Sequence, residues 1–143
     1  MTGRWRSAGA GAAAATLWGL QEPLDQRLFD CDYSDIALLG KFATRGRHWR
    51  AAGFAIHALN GAVFGLVFHE FRRLLRADSQ KLALALALAL TEHATLYPLY
   101  YFVDRYHPAR GQVGLPPVLT NSRAFAQETW RHALFGIVLG RLA

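Results

Sequence analysis

Two long stretches with almost no charge constrain the fold of this chain more than any other feature of its sequence. Residues 51–68 contain no Asp, Glu, Lys or Arg over 18 positions, and residues 82–103 contain only Glu92 over 22 positions. A helix needs about 20 mainly apolar residues to cross a bilayer. The chain is also 52% hydrophobic and 18% charged, against soluble averages of about 45–50% and about 25%. We therefore expect an integral membrane protein, with a soluble helical bundle as the alternative.

A nine-residue pattern occurs twice in the chain. Residues 57–65 and residues 132–140 both read H-A-L-x-G-x-V-x-G, at an offset of 75. The same offset, without a gap, carries Pro23-Leu24 onto Pro98-Leu99. These matches predict an internal duplication of about half the chain.

The duplication adds two weaker spans to the two strong ones and so defines the predicted fold. Within a single domain, residues 1–143, repeat one covers about residues 7–68 and repeat two about residues 82–143. We predict an all-α integral membrane bundle of four transmembrane helices, in which two parallel two-helix repeats are related by a pseudo-two-fold axis along the membrane normal. The predicted spans are residues 7–28, 51–68, 82–103 and 124–142. The basic and then apolar N-terminus also resembles a signal peptide, which is the alternative interpretation of residues 1–20.

Local signals within and between these spans refine the prediction. Residues 82–90 alternate Leu and Ala, but both are strong helix formers and a lone strand leaves its backbone unsatisfied in lipid, so we predict a helix. Pro98 should kink it. In the connection at residues 29–49, Ser34 or Asp32 should cap a short helix that lies flat on the membrane surface. The short basic connection at residues 69–81 predicts that the second and third spans are antiparallel neighbours.

The repeated pattern places one histidine and two glycines on a single stripe of each helix. Positions i, i+4 and i+8 share a face, and a G-x-x-x-G pair lets two helix backbones approach closely. We expect helices to meet there. The predicted packing stripe consists of His57, Gly61, Gly65, His132, Gly136 and Gly140.

Polar residues inside the predicted spans are the candidates for chemistry. A charged side chain at the bilayer centre costs at least ~2.5 kcal/mol on insertion scales, so such groups face a partner or a cavity. Their simplest role is to hydrogen-bond across helix interfaces. The set also suggests a metal site, for which Glu92, His93, Glu128 and His132 are weak candidates, a haem between His57 and His132, or a proton path. The full set is His57, Asn60, Glu92, His93, Glu128 and His132.

Lys and Arg gather at the ends of the apolar segments, although the net charge is +6. That distribution favours the lipid bilayer with its anionic headgroups as partner, and no nucleic acid. The run Arg45, Arg47, Trp49 and Arg50 is typical of an interfacial anchor. The dense basic cluster at residues 72–81 favours a multi-pass protein of the cell membrane, plasma or inner, with both termini cytoplasmic.

The sequence contains no nucleophile elbow, phosphate loop or dinucleotide motif, so we do not expect an enzyme of a class that such a motif marks. A single cysteine, Cys31, excludes an internal disulfide. The predicted function is a structural or accessory membrane component, or a subunit of a homo-oligomer or of a complex with another membrane protein. No cofactor is required for this role. The alternatives are a redox protein that binds metal or haem through intramembrane His and Glu, and a protein that conducts protons or a small solute.

Overall fold

The computed structural model describes residues 3–143, and every regular element in that part of the chain is helical. Two 3-10 turns flank the fourth α-helix: Asp78–Gln80 precedes it, and Tyr97–Leu99 joins it to the fifth. Residues Asp78–Tyr106 therefore form one nearly continuous helical segment. The all-α prediction is confirmed. The α-helices are α1 (Gly3–Phe29), α2 (Asp35–Ala43), α3 (Trp49–Leu74), α4 (Lys81–Leu96), α5 (Tyr100–Tyr106) and α6 (Ser122–Leu142).

Helix α1 lies at the centre of the bundle. It packs against both α3 and α6, while α4 packs on the other side of α6 and α2 packs on α3. The lateral order is therefore α3, α1, α6, α4. The short connection predicts α3 and α4 as neighbours, but they make few contacts with each other. The gap between them forms a cleft.

The bundle has two distinct ends. At the terminal end, Arg6 Nε donates to the carbonyl oxygen of Leu142 and Lys81 Nζ donates to that of Ala143, both at 3.0 Å. At the connection end, the two long connections meet, because Ser34 N donates to Gly114 O at 2.9 Å. The start of α1, the end of α6 and the α3–α4 connection thus share one end.

The glycines of the packing stripe lie directly against neighbouring helix backbones. A Cβ on Gly61 would overlap the backbone oxygen of Gly11 in α1, and a Cβ on Gly136 would lie 2.8 Å from Leu86 Cα in α4. Because no side chain fits at these points, glycine sets the distance between the helices. The remaining two contacts pair Gly65 with Ser7 and Gly140 with Leu82.

The connection between α1 and α3 differs from the prediction. Ser34 does cap α2, accepting from Ala37 N at 3.0 Å. However, the prediction that α2 lies flat on the surface is wrong, because Asp35, Ile36 and Ala37 are all buried. After α1 ends, the chain turns back along it and α2 then leads outwards.

Hydrogen bonds to α1 fix this re-entrant segment, residues 30–43. Gln26 Nε2 donates to Asp32 O at 3.0 Å, and the Ser34 hydroxyl donates to Glu22 at 2.6 Å, about one turn deeper. The partners lie 6 and 12 residues apart and one of them is a main-chain oxygen, so helical periodicity does not predict these bonds.

Two helices have the length and apolar composition to cross a membrane. Among the described residues, only Trp49–Leu74 and Asp78–Tyr106 meet that test. Pro98 lies in the 3-10 turn between α4 and α5, as the kink prediction requires. Pro23, in contrast, lies inside α1 without interrupting it. Because α1 and α6 do not meet the test, the four-span bundle and its two repeats stay a prediction.

Candidate functional site

The gap between α3 and α4 forms a cleft of about 330 Å³. All the polar residues predicted to lie inside the spans line it: His57, Asn60, Glu92, His93, Glu128 and His132. They come from three helices, α3, α4 and α6. The structure therefore brings the whole predicted set together. The metal, haem and proton-path roles of these residues stay predictions.

His132 presents one nitrogen without a hydrogen-bond donor. Its Nδ1 lies 2.8 Å from the carbonyl oxygen of Glu128 in the preceding turn. A carbonyl only accepts, so Nδ1 carries the proton and Nε2 of the neutral ring is an acceptor. This Nε2 lies 3.9 Å from Glu92 Oε2, which is beyond hydrogen-bond distance. Two acceptors thus face each other across a gap.

His93 is oriented in a similar way from α4. Its Nε2 lies 2.9 Å from the Thr129 hydroxyl, which itself donates to Phe125 O at 2.8 Å. The hydroxyl has only one proton, so His93 Nε2 must be the donor and its Nδ1 an acceptor when the ring is neutral. The His93 and His132 rings lie 4.8 Å apart, centroid to centroid.

Trp18 of α1 contacts both histidines of the repeated pattern. Its indole lies edge-on to His57 at 5.0 Å and to His132 at 4.7 Å between ring centroids. The indole thus occupies space beside both rings that a porphyrin held between two axial histidines would need. Among His57, His93 and His132, only His57 has a buried ring nitrogen, Nε2, without a hydrogen-bond partner.

A buried ion-pair network closes the inner end of the cleft, and its centre is Arg131 of α6. All five N–H groups of its guanidinium have acceptors within 3.1 Å. Asp25 of α1 accepts two of them in a bidentate pair, both at 2.7 Å. The other three go to Asp35, Glu128 and the Tyr33 carbonyl. The Arg131 side chain is 0% exposed, so the network lies wholly inside the bundle.

The sequence prediction missed Arg131, Asp25 and Asp35 as site residues. A usable signal was present, because Glu22 and Asp25 are three residues apart on α1, and Glu128 and Arg131 are three apart on α6. Each pair therefore shares a helix face. The α1 segment carries two acidic residues on one face and the α6 segment carries Arg131. An ion pair between these two segments could therefore have been proposed from the sequence.

Two groups on the re-entrant side of the network have shifted pKa values. Burial pushes the pKa of Asp35 upwards, but the Arg131 guanidinium, His57 and the Tyr33 hydroxyl outweigh it and hold the pKa below its ordinary value. A depressed carboxyl pKa stabilises the fold near neutral pH, and that contribution is lost as the pH falls through the folded-state pKa. Burial raises the pKa of the Cys31 thiol, which makes that cysteine unreactive.

No group of three or more His, Cys, Asp or Glu side chains is arranged to hold a metal ion among residues 3–143. Within the weak candidate set, the Glu128 carboxylate accepts from Arg131 and Tyr100, at 3.1 and 3.2 Å, rather than joining His93 and His132. The metal site therefore stays a prediction without a matching geometry.

The predicted interfacial anchor lies at the connection end, around the start of α3. The Arg50 guanidinium lies 5.2 Å from the centre of the Trp49 ring, and Lys41 reaches the same ring at 5.1 Å. Arg45, Arg47 and Arg50 are exposed. Lys41 and Arg50 thus both contact one indole at the end of a candidate span.

Comparison of the chain with protein-family models, with curated proteins and with solved structures finds no match. Arguments about function therefore depend on the geometry above.

Proposed function

We propose that this chain is a multi-pass integral membrane protein of the cell membrane that acts as a structural or accessory component. The distribution of polarity carries the proposal. Several charged groups are buried inside the bundle, with Arg131 at 0% and Glu128 at 1% exposure, while Leu59 of α3 is 63% exposed. A soluble protein has the opposite arrangement, whereas a bundle in lipid places its polar groups inside.

Exposed apolar residues follow a single stripe on each of α1 and α3. On α3 the stripe recurs every four residues, and on α1 it recurs every three or four residues. Such a stripe needs an apolar partner along the whole helix. Lipid supplies one on every side of the bundle. The exposed residues are Leu59, Val63, Val67 and Phe71 on α3, and Leu17, Leu20, Leu24 and Leu28 on α1.

The ion-pair network explains how α1 and α6 can also span. Hydropathy counts Asp25 and Arg131 as two charges in two different helices, but they form one bidentate pair inside the bundle. A desolvated pair with its hydrogen bonds satisfied costs far less in lipid than two separate charges. With α1 and α6 included, the bundle has four spanning helices.

Contacts related by the offset of 75 support the two parallel repeats. Adding 75 to both members of the Gly61–Gly11 contact gives Gly136–Leu86, which is also a close backbone contact. The same shift converts the His57–Trp18 ring contact, at 5.0 Å, into His132–His93, at 4.8 Å. The pairs α1–α3 and α4–α6 therefore match as two copies of one helix pair, in one domain of residues 1–143.

A structural role has more support than proton or solute conduction. The cleft is polar at its inner end, but an apolar cluster that includes Ala14, Phe68 and Leu139 fills the core towards the terminal end. A path needs polar groups or water across the whole bilayer. The cluster interrupts such a path.

The basic residues support one orientation of the protein in the bilayer. The short connection at the terminal end carries Arg72, Arg73, Arg76 and Lys81. By the positive-inside rule we place this end, with both termini, on the cytoplasmic side, in contact with anionic headgroups.

Cysteine labelling tests the topology. Cys31 is buried and is replaced by Ala to give a cysteine-free background. Single cysteines then go to exposed positions, Arg47 and Gln112 at the connection end and Ser79 and Arg141 at the terminal end.

We expect an impermeant maleimide to label positions 47 and 112 from outside the cell, and positions 79 and 141 only after permeabilisation. The protein should also stay in the membrane pellet after carbonate extraction. Release by carbonate would contradict membrane insertion. Labelling of positions 47 and 112 from opposite sides would contradict the parallel repeats.

A further inference from the structure

The cleft between α3 and α4 has the shape of a site for a slender apolar molecule. Its outer walls are apolar and include Leu39 and Phe64 on one side and Leu96 and Leu99 on the other. About 330 Å³ is at the small end of the range for ligand pockets, so one chain fits and a two-chain lipid does not. The cleft opens between the two most apolar helices, and in the proposed membrane arrangement that opening faces lipid.

Two hydrogen-bond acceptors face each other at the inner end of the cleft. His132 Nε2 and Glu92 Oε2 are both acceptors and lie 3.9 Å apart, too far apart to bond directly. The Glu92 side chain is 39% exposed, so a ligand can reach it. A donor placed between the two atoms would satisfy both.

His57 adds a second unsatisfied group at the same end. It lines the cleft, is 9% exposed, and its Nε2 has no partner. A buried polar atom without a partner is unfavourable, so a ligand that hydrogen-bonds to it gains affinity.

The carboxyl groups at this end determine which kind of headgroup can bind there. Asp35 and Glu128 also line the cleft, and the nearest cation, Arg131, has no N–H left to offer. One guanidinium therefore faces four carboxyl groups: Glu22, Asp25, Asp35 and Glu128. An anionic headgroup would find no free N–H of Arg131 to accept from, whereas a hydrogen-bond donor would find carboxyl oxygens.

We propose that the cleft binds a single-chain amphiphile through a primary ammonium headgroup. An ammonium has three donors and no acceptor, which matches an end that offers acceptors and surplus carboxyl groups. The headgroup lies between His132 and Glu92, beside His57, and the apolar chain extends between α3 and α4 towards lipid. Entry from the bilayer rests on the proposed membrane insertion. The ammonium can belong to a free long-chain amine or to the ethanolamine head of a single-chain lysophospholipid.

The test compares ligands that share one chain and differ in headgroup. The full-length protein is reconstituted in phosphatidylcholine nanodiscs, which contain no primary amine, and empty nanodiscs correct for partition into lipid. Binding of dodecylamine, dodecanol and dodecanoate is measured by equilibrium titration. We expect saturable binding of dodecylamine at about one per protein, and binding at least about tenfold weaker for the other two.

Variants then assign the site. Glu92→Gln keeps the shape of the side chain and removes its charge, so dodecylamine affinity should fall about tenfold or more. Glu70→Gln makes the same chemical change on α3 at the terminal end, where Glu70 pairs with Arg73, and should leave the affinity unchanged. Unchanged melting temperatures show that both variants are folded.

Each outcome decides one point. Equal binding of dodecylamine and dodecanol, or unchanged affinity in Glu92→Gln, overturns the ammonium site. Competition by lysophosphatidylethanolamine assigns the lipid headgroup as the source, and its failure to compete assigns a free amine. Failure of the protein to insert into nanodiscs contradicts the membrane proposal instead, whereas insertion without saturable binding contradicts only the site.

Discussion

At the scale of single residues, Arg131 is the centre of the polar network inside the bundle. Its five N–H groups are all used, and two of them form the bidentate pair with Asp25. A lysine has three donors at one point and cannot reproduce this planar fork. Because the side chain is fully buried, water cannot replace a lost partner. The network therefore joins α1, the re-entrant segment and α6 through one side chain.

We predict that Arg131→Gln lowers the free energy of unfolding by about 3–5 kcal/mol, because it leaves buried carboxylates without a cation. Arg131→Lys should also destabilise the protein, though less. The control is Arg123→Gln, which removes a surface pair with Asp30 and should cost no more than about 1 kcal/mol. Chemical unfolding in detergent measures all three. Similar losses for Arg131→Gln and Arg123→Gln would show that the network is not buried in the folded protein.

At the scale of helices, glycine determines how closely α3 can approach α1. The backbone oxygen of Gly11 occupies the position that a Cβ on Gly61 would need, and Ser7 O does the same at Gly65. Backbone atoms cannot move aside as a flexible side chain can. Even one methyl group must therefore separate the two helices.

The matched pair Gly61→Ala and Gly9→Ala tests this contact. Both glycines lie inside helices, but a Cβ on Gly9 meets nothing within 4 Å. Alanine is favoured over glycine in a helix by about 1 kcal/mol, so Gly9→Ala should raise the melting temperature slightly. Gly61→Ala should lower it, because the clash outweighs that gain. An increase in both variants would mean that α1 and α3 do not pack through Gly61.

Helices were predictable from the sequence where their signals are local. The Leu-Ala run of α4, the kink at Pro98 and the Ser34 cap depend on neighbouring residues, and all three are present. The polar lining of the cleft was predictable because apolar runs leave few polar residues to choose from. The position of α2 was not, since it depends on bonds such as Trp18 Nε1 to Asp35, which join different elements. Charges on shared helix faces could have indicated an ion pair between α1 and α6, but the five hydrogen bonds of Arg131 depend on how α1, α6 and the re-entrant segment pack together.

At the scale of the whole molecule, the two halves of the chain are joined by contacts rather than by the connection between them. Helix α1 of the first half packs along α6 of the second half. The ion pairs of Arg131 with Asp25 and Asp35 cross the same boundary. The covalent link, around residues 75–80, is exposed at nearly every position. Exposed connections of this kind tolerate cleavage better than any other part of a fold.

We therefore predict that residues 1–77 and residues 78–143, coexpressed as separate chains, assemble into the native bundle. Each half alone leaves buried charges unpaired, the acids of α1 in one and Arg131 in the other, so neither should accumulate as a folded protein. Copurification of the first half on a tag carried by the second half measures assembly. Arg131→Gln should abolish it, whereas Arg123→Gln should not. If either half folds alone, or if both insert without pairing, the boundary contacts do not hold the bundle together. The assembled halves should melt below the intact chain, because cutting the link adds the entropic cost of association to folding.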